Sequence, residues 1–173
     1  MSDSNSDKTR TIFVAGLRNA HGVENQAIEI MSRQVERLQN YPQVEARLRQ
    51  HIDETKGQLQ RLDEILESLG ESRSLLKDAA LGLMGNMAAL AHTWAADEIL
   101  KNSFANFAFE NFEAASYKSL IAVAEAGGFE SAVQPLQMTL KQEQAMAAWL
   151  DEHLRDVTLR YISLEQSGQK ADR

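Results

Sequence analysis

No cysteine occurs among the 173 residues of this chain, which excludes disulfides and thiolate metal sites and agrees with a reducing cytoplasm. Proline appears only twice and glycine nine times. With Ala, Leu, Glu and Gln abundant and Val and Thr scarce, that scarcity favours an all-helical class. No apolar run approaches the ~20 residues that a membrane span needs. The opening Met-Ser-Asp-Ser-Asn-Ser-Asp lacks the basic start and apolar stretch of a signal peptide. Positive charge is also short: the net charge is −7, which argues against nucleic acid or an anionic membrane as the main partner. What remains is about one domain, long enough to bury a sizeable core.

The pattern along the chain predicts a disordered tail over residues 1–8, a helical bundle over 9–166 and a polar tail over 167–173. The first helix runs from about Thr9 to Gln39 with Leu17, Glu24, Ile28, Met31, Val35 and Leu38 on one face. Asn40-Tyr41-Pro42 is a turn, with Pro42 suited to a first helical position. The second helix continues to about Leu69, is closed by Gly70, and carries Val44, Leu48, His51, Thr55, Leu59, Leu62 and Leu66 on its face. Ser74 to Leu90 reads as a short helical connector between the second and third long helices. The third helix, about Asp97 to Ala126, stops at Gly127-Gly128, and its apolar stripe runs Leu100, Phe104, Phe107, Ala114, Tyr117, Ile121. The fourth, from Phe129 or Pro135 to about Leu164, shows Leu136, Leu140, Glu143, Ala147, Leu150, Leu154, Val157 and Tyr161, with Pro135 marking a kink or a fresh start.

Four of these stripes hold a glutamate, and the heights match. Glu110 lies 17 residues before Gly127 and Glu143 lies 15 after Gly128, so both stand ~22–26 Å from that turn. Glu24 is 16 residues before Asn40 and Glu54 is 12 after Pro42, or ~18–24 Å from theirs. His51, Glu54 and Gln58 are spaced three and four apart and share one side of the second helix. Glu113 and Tyr117 follow Glu110 along the third. Carboxylates gathered in a dry core repel one another and take up protons. No lysine or arginine occupies the stripes near them, so a divalent metal is the natural neutraliser. Facing helices that supply glutamates are how di-iron and di-manganese bundles build a site.

Two segments, His51-Ile-Asp-Glu-Thr-Lys-Gly-Gln-Leu-Gln-Arg-Leu-Asp and Glu110-Asn-Phe-Glu-Ala-Ala-Ser-Tyr-Lys-Ser-Leu, resemble the bacterial YciE/YciF family of ferritin-like stress-response proteins. The likeness extends through Ala122 to Gly128 and Thr139-Leu-Lys-Gln-Glu143, covering about Thr11 to Leu154. It implies a ferritin-like bundle with a dinuclear metal motif. Carried over by position, Glu24, Glu54, Glu110 and Glu143 match the four helix carboxylates, and Gln58 and Glu113 match further polar positions beside them. Gly57 and Met146 stand where Glu-x-x-His motifs would put histidines, Asn111 replaces another, and Ala147 replaces a frequent aspartate. Fewer imidazole ligands mean a harder, oxygen-rich site, which favours manganese or partial occupancy.

The expected protein is therefore an all-α, ferritin-like up-down four-helix bundle. Its expected function is a dinuclear iron or manganese centre in a stress-linked cytoplasmic protein, reacting with oxygen or peroxide. Four glutamates hold the metals, while His51 and Tyr117 stand beside them. Metal ions are the partners, with neither nucleic acid nor membrane, and apolar Trp94 and Phe129 suggest a homodimer. The alternative is a metal-free helical-bundle interaction or structural protein with an eroded metal site.

Overall fold

A computed structural model describes residues 2–71 and 97–171. Four long helices account for nearly all of them: α1 (Ser2–Val35), α2 (Pro42–Ser68), α3 (Glu98–Gly127) and α4 (Glu130–Gln166). The helical connector expected after α2, and with it Trp94, lies outside the described residues.

The stop signals act where the sequence put them. Pro42 opens α2, Gly70 follows its end with φ +73, and Gly128 closes α3 with the same left-handed φ. The N-terminal boundary differs. Residues 2–8, expected as a disordered tail, belong to α1. The helix is already anchored just downstream, because Arg10 donates to the Leu69 carbonyl at 2.7 Å and Thr11 Oγ1 to the Asp7 carbonyl at 2.8 Å. Extending an existing helix upstream then gains a bond per residue without a new nucleus. Of the two expected starts of α4 the structure takes the earlier, with Phe129 before the first residue Glu130, and the helix runs on through Pro135. Within the polar C-terminal stretch, Tyr41 Oη donates to the Ala171 carbonyl at 2.6 Å and Asn40 Nδ2 to that of Lys170 at 2.8 Å, and Ala171 is buried.

Contacts define a square. The α1 helix packs on α2 and α3, and α4 packs on α3 and α2, leaving α1/α4 and α2/α3 as the diagonals. Gly16 faces Leu120 and Gln34 faces Asn106, so α1 and α3 are antiparallel. Gln58 meets Glu143 and Tyr41 meets Ala171, so α2 and α4 are antiparallel too. Up-down alternation therefore holds within each hairpin, while α2 and α3 run parallel across the diagonal, the one-crossover arrangement of ferritin-like bundles. Ion pairs tie both ends: Glu71 takes Arg10 at 2.7 Å and Arg18 at 2.5 Å, and Arg37 meets Glu98 at 2.6 Å. A buried amide pair fixes the α1–α3 register, with Gln34 and Asn106 exchanging hydrogen bonds of 3.1 and 2.8 Å.

The core comes in two parts. One apolar cluster gathers Phe13, Leu17, Leu62, Leu66, Leu120, Ala124 and Leu136 at one end of the bundle. The other gathers Met31, Val35, Leu48, Ile99, Met146, Leu150 and Leu164 at the opposite end. Between them every helix turns a polar residue inward. The α3 stripe departs most from expectation: Phe104 is 53% and Phe107 39% exposed, and the inward places at that level are Ser103 and Asn106. Phe129, expected as an exposed apolar surface, stacks on Phe13 with ring centroids 4.7 Å apart.

Candidate metal centre

The layer between the two apolar clusters is built from Glu24 on α1, His51, Thr55 and Gln58 on α2, Glu110, Glu113 and Tyr117 on α3, and Thr139 and Glu143 on α4, all buried. Each sits on the inward stripe of its helix, at the three- and four-residue spacings that keep side chains on one side. Five of the six residues expected to bind metal are therefore brought together: Glu24, Gln58, Glu110, Glu113 and Glu143.

Glu54 is the exception. Its side chain remains 21% exposed, and it lies on the outer side of the His51 ring, accepting from His51 Nδ1 at 2.9 Å. The remaining capacity of its carboxylate goes to Gln50 Nε2 at 2.8 Å and Arg47 Nη1 at 3.2 Å. The inward place belongs to His51, expected only beside the site. Its Nε2 stands 3.0 Å from Glu110 Oε2 and 3.6 Å from Glu143 Oε2. His51, Glu110 and Glu143 each offer a ligand atom, all within 4.8 Å of one another. Spacing alone could not separate them, since His51, Glu54 and Gln58 share one side of α2, and burial decides: the His51 side chain is 1% exposed and that of Glu54 21%.

No lysine or arginine is among the buried stripe residues of α2, but one guanidinium reaches the layer from beside the stripe. Arg61, one turn beyond Gln58, donates through Nε to Thr139 Oγ1 at 3.0 Å and through Nη2 to Gln142 Oε1. It is close enough for Glu24 and Glu143 to stabilise its charge, although burial pulls its pKa down.

Electrostatics follow from packing so many acids together. Burial first, then repulsion from neighbouring carboxylates, raises Glu24 and Glu113 well above the usual carboxylate range. Burial likewise lifts Glu110 to about 7, against the pull of His51. For Glu143 burial is outweighed by the pull of the nearby His51 and by the polar groups of Glu110 and Gln58, and its pKa is lowered. Burial would depress His51, but the adjoining carboxylates of Glu110, Glu143 and Glu54 hold it up at about 11. The bond from His51 does most to bring Glu54 down to about 2. Tyr117 hydroxyl donates to Glu24 Oε1 and Gln58 Nε2 to Glu143 Oε1.

A divalent cation fits this donor set. Glu24 Oε2, Gln58 Oε1, Glu110 Oε2, Glu113 Oε1 and Glu143 Oε2 are buried and make no hydrogen bond among the described residues. Orphaned buried oxygens are costly, and five in one layer call for positive charge. Tyr117 and the Gln58 amide would orient their carboxylates from behind, as outer partners of metal ligands commonly do.

The family model described as "Domain of unknown function (DUF892)" matches residues 8–163. Protein YciF of Escherichia coli K12 is 25% identical over 167 residues, covering 93% of each chain. A Xanthomonas campestris protein of known structure superposes with a TM-score of 0.77 at 28% identity, over 91% of this chain and 99% of that one. The E. coli stress protein YciF has the same fold, with a TM-score of 0.68 at 23% identity over 86% and 95% of the two chains. YcfI of Rhodopseudomonas palustris scores 0.68 at 26% over 83% and 92%. With a family model spanning almost its whole length and relatives of matching length and fold, this chain belongs to the YciE/YciF family of DUF892 proteins.

Proposed function

We propose that this chain holds a dinuclear iron or manganese centre within its mid-bundle polar layer and serves bacterial stress defence, a role suggested by its relative, the E. coli stress protein YciF. The single observation that carries the reading is the set of five unpartnered buried oxygens, supplied by all four helices. Glu110 and Glu143 bind, with Glu24 and Glu113 across the layer. Tyr117 and Gln58 hold carboxylates in place, and the two apolar clusters exclude water from above and below. Iron or manganese bound there would supply redox chemistry toward oxygen or peroxide.

A second reading rests on His51. Its imidazolium, against Glu110 at 3.0 Å and Glu143 at 3.6 Å, neutralises part of the layer without metal, which suits a metal-free interaction or structural protein. Metal analysis of purified protein, followed by calorimetric titration with Mn²⁺ and with anaerobic Fe²⁺, separates the two. The metal reading expects two equivalents per chain in the wild type, and a sharp loss in Glu110→Ala and Glu143→Ala with helical circular dichroism unchanged. Equal loading of wild type and both variants, or none in any, overturns it.

A further inference from the structure

The polar layer contains a histidine and a glutamate on one helix, and their geometry assigns them different tasks. We propose that α2 contributes His51 Nε2 as its metal ligand, and that Glu54 is a positioning residue which holds the imidazole and does not touch the cation. The inference rests on the metal reading above and goes beyond it by exchanging the roles of these two residues.

Three observations carry it. First, the two ring nitrogens face opposite ways. Nε2 looks toward Glu110 Oε2 and Glu143 Oε2, at 3.0 and 3.6 Å, while Nδ1 contacts Glu54 Oε2 at 2.9 Å. An imidazole whose Nδ1–H is donated to a carboxylate presents the Nε2 lone pair outward, the tautomer a metal requires. Second, Glu54 has no oxygen to spare. Oε1 accepts from Gln50 and Oε2 from both Arg47 and His51. Glu24, Glu113 and Glu143 each keep a bare oxygen in the layer. Third, burial divides the pair: the His51 side chain is 1% exposed, inside the layer, and Glu54 is outside the ring. The pair Glu54–His51 thus runs inward, from a partly exposed carboxylate that also meets Arg47 to the carboxylates of α3 and α4.

The exchange alters the ion the centre selects. Glu54 as ligand would make the set all oxygen, which suits Mg²⁺ and Ca²⁺ as well as manganese. One imidazole among carboxylates shifts preference toward Mn²⁺, Fe²⁺ and Co²⁺. The same geometry accounts for Gly57. A histidine there is unnecessary, since the α2 imidazole arrives from His51, and the space at Gly57 is bounded by Arg61 Nη1 at 3.6 Å.

The test is titration of the full chain with Mn²⁺ and Co²⁺, in wild type, His51→Ala, Glu54→Ala and Glu54→Gln. Pulsed electron paramagnetic resonance on the Mn²⁺ form is read for imidazole-nitrogen coupling. Wild type should show one coordinated imidazole, and His51→Ala should abolish the signal. Glu54→Ala should weaken Mn²⁺ binding ~10–100-fold, the usual cost of losing such an outer partner, without changing the number of ions bound. Glu54→Gln, whose amide oxygen still accepts from Nδ1–H, should recover most of the affinity. Metal bound to wild type without nitrogen coupling overturns the inference and leaves the metal reading intact. So does a Glu54→Ala protein that loses an equivalent of metal, or one whose affinity equals that of wild type. A wild type that binds no metal overturns the metal reading itself. Should His51→Ala fail to fold, the wild-type spectrum and the two Glu54 variants decide.

Discussion

Glu110 carries a proton at a pH where an exposed glutamate would have lost it, and this has a thermodynamic consequence. Its pKa rises from 4.5 to about 7 on folding. Between those values the folded state binds more protons than the unfolded one, so the stability due to this group falls as pH rises through the window. His51 is raised from 6.5 to about 11, and its contribution, full below 6.5, likewise declines as pH climbs through that range. The two windows join, and the metal-free protein should melt progressively lower from pH 5 to pH 8. At about 2–4 °C per kcal/mol for a chain of this size, even ~2 kcal/mol is readable by calorimetry. Glu110→Gln should raise the metal-free melting point at the pH 8 end and shrink the gain on adding Mn²⁺. A flat profile, unchanged by the amide, would mean that these carboxylates are solvated. Glu54 behaves in the opposite sense. With its pKa at about 2, its contribution is present above 4.5 and lost only in stronger acid.

At the scale of the helix, two glycines make opposite predictions. Gly57 lies within α2 and a Cβ there meets only Arg61 Nη1 at 3.6 Å, an ordinary contact. Gly57→Ala should stabilise the protein by up to ~1 kcal/mol through helix propensity alone. At Gly127 a Cβ would come within 2.4 Å of the Phe129 ring, itself stacked on the fully buried Phe13, and 3.0 Å from Thr9 Cγ2. Gly127→Ala should therefore cost ~1–3 kcal/mol, as overpacking generally does. Denaturant melts of the two variants check both signs. The crowding at Gly127 was not visible in the chain, because Thr9 reaches it only in the folded bundle. The helices themselves were legible because the 3.6-residue period and the stops at Pro42, Gly70 and Gly128 are local properties. The inward side of α3 was not. Its period fits Phe104 and Phe107 as well as Ser103 and Asn106, and the choice depends on Gln34 across the interface, where Asn106 finds a complementary amide. Glu54 was misassigned for a similar reason: a carboxylate beside an apolar stripe looks like a ligand until the histidine between it and the core is located.

The molecule as a whole is a bundle with two apolar ends and a charged waist. Most bundles are tightest at mid-height, where all four helices are covered and farthest from fraying ends. Here the mid-height layer holds the orphaned oxygens, while Tyr41 clasps Ala171 at one end and Glu71 clasps Arg10 and Arg18 at the other. Backbone opening should accordingly begin in the wrong place for a bundle. In the metal-free protein, amide hydrogen exchange should be fastest within the cores of the helices, near Glu24, Thr55, Glu113 and Glu143. It should slow toward Leu17, Leu66 and Leu120 at one end and toward Val35, Leu48 and Leu150 at the other. Bound metal should reverse that profile by protecting the waist first. A protein that seals in the middle when loaded and exchanges there when empty would report its metal status through its own backbone.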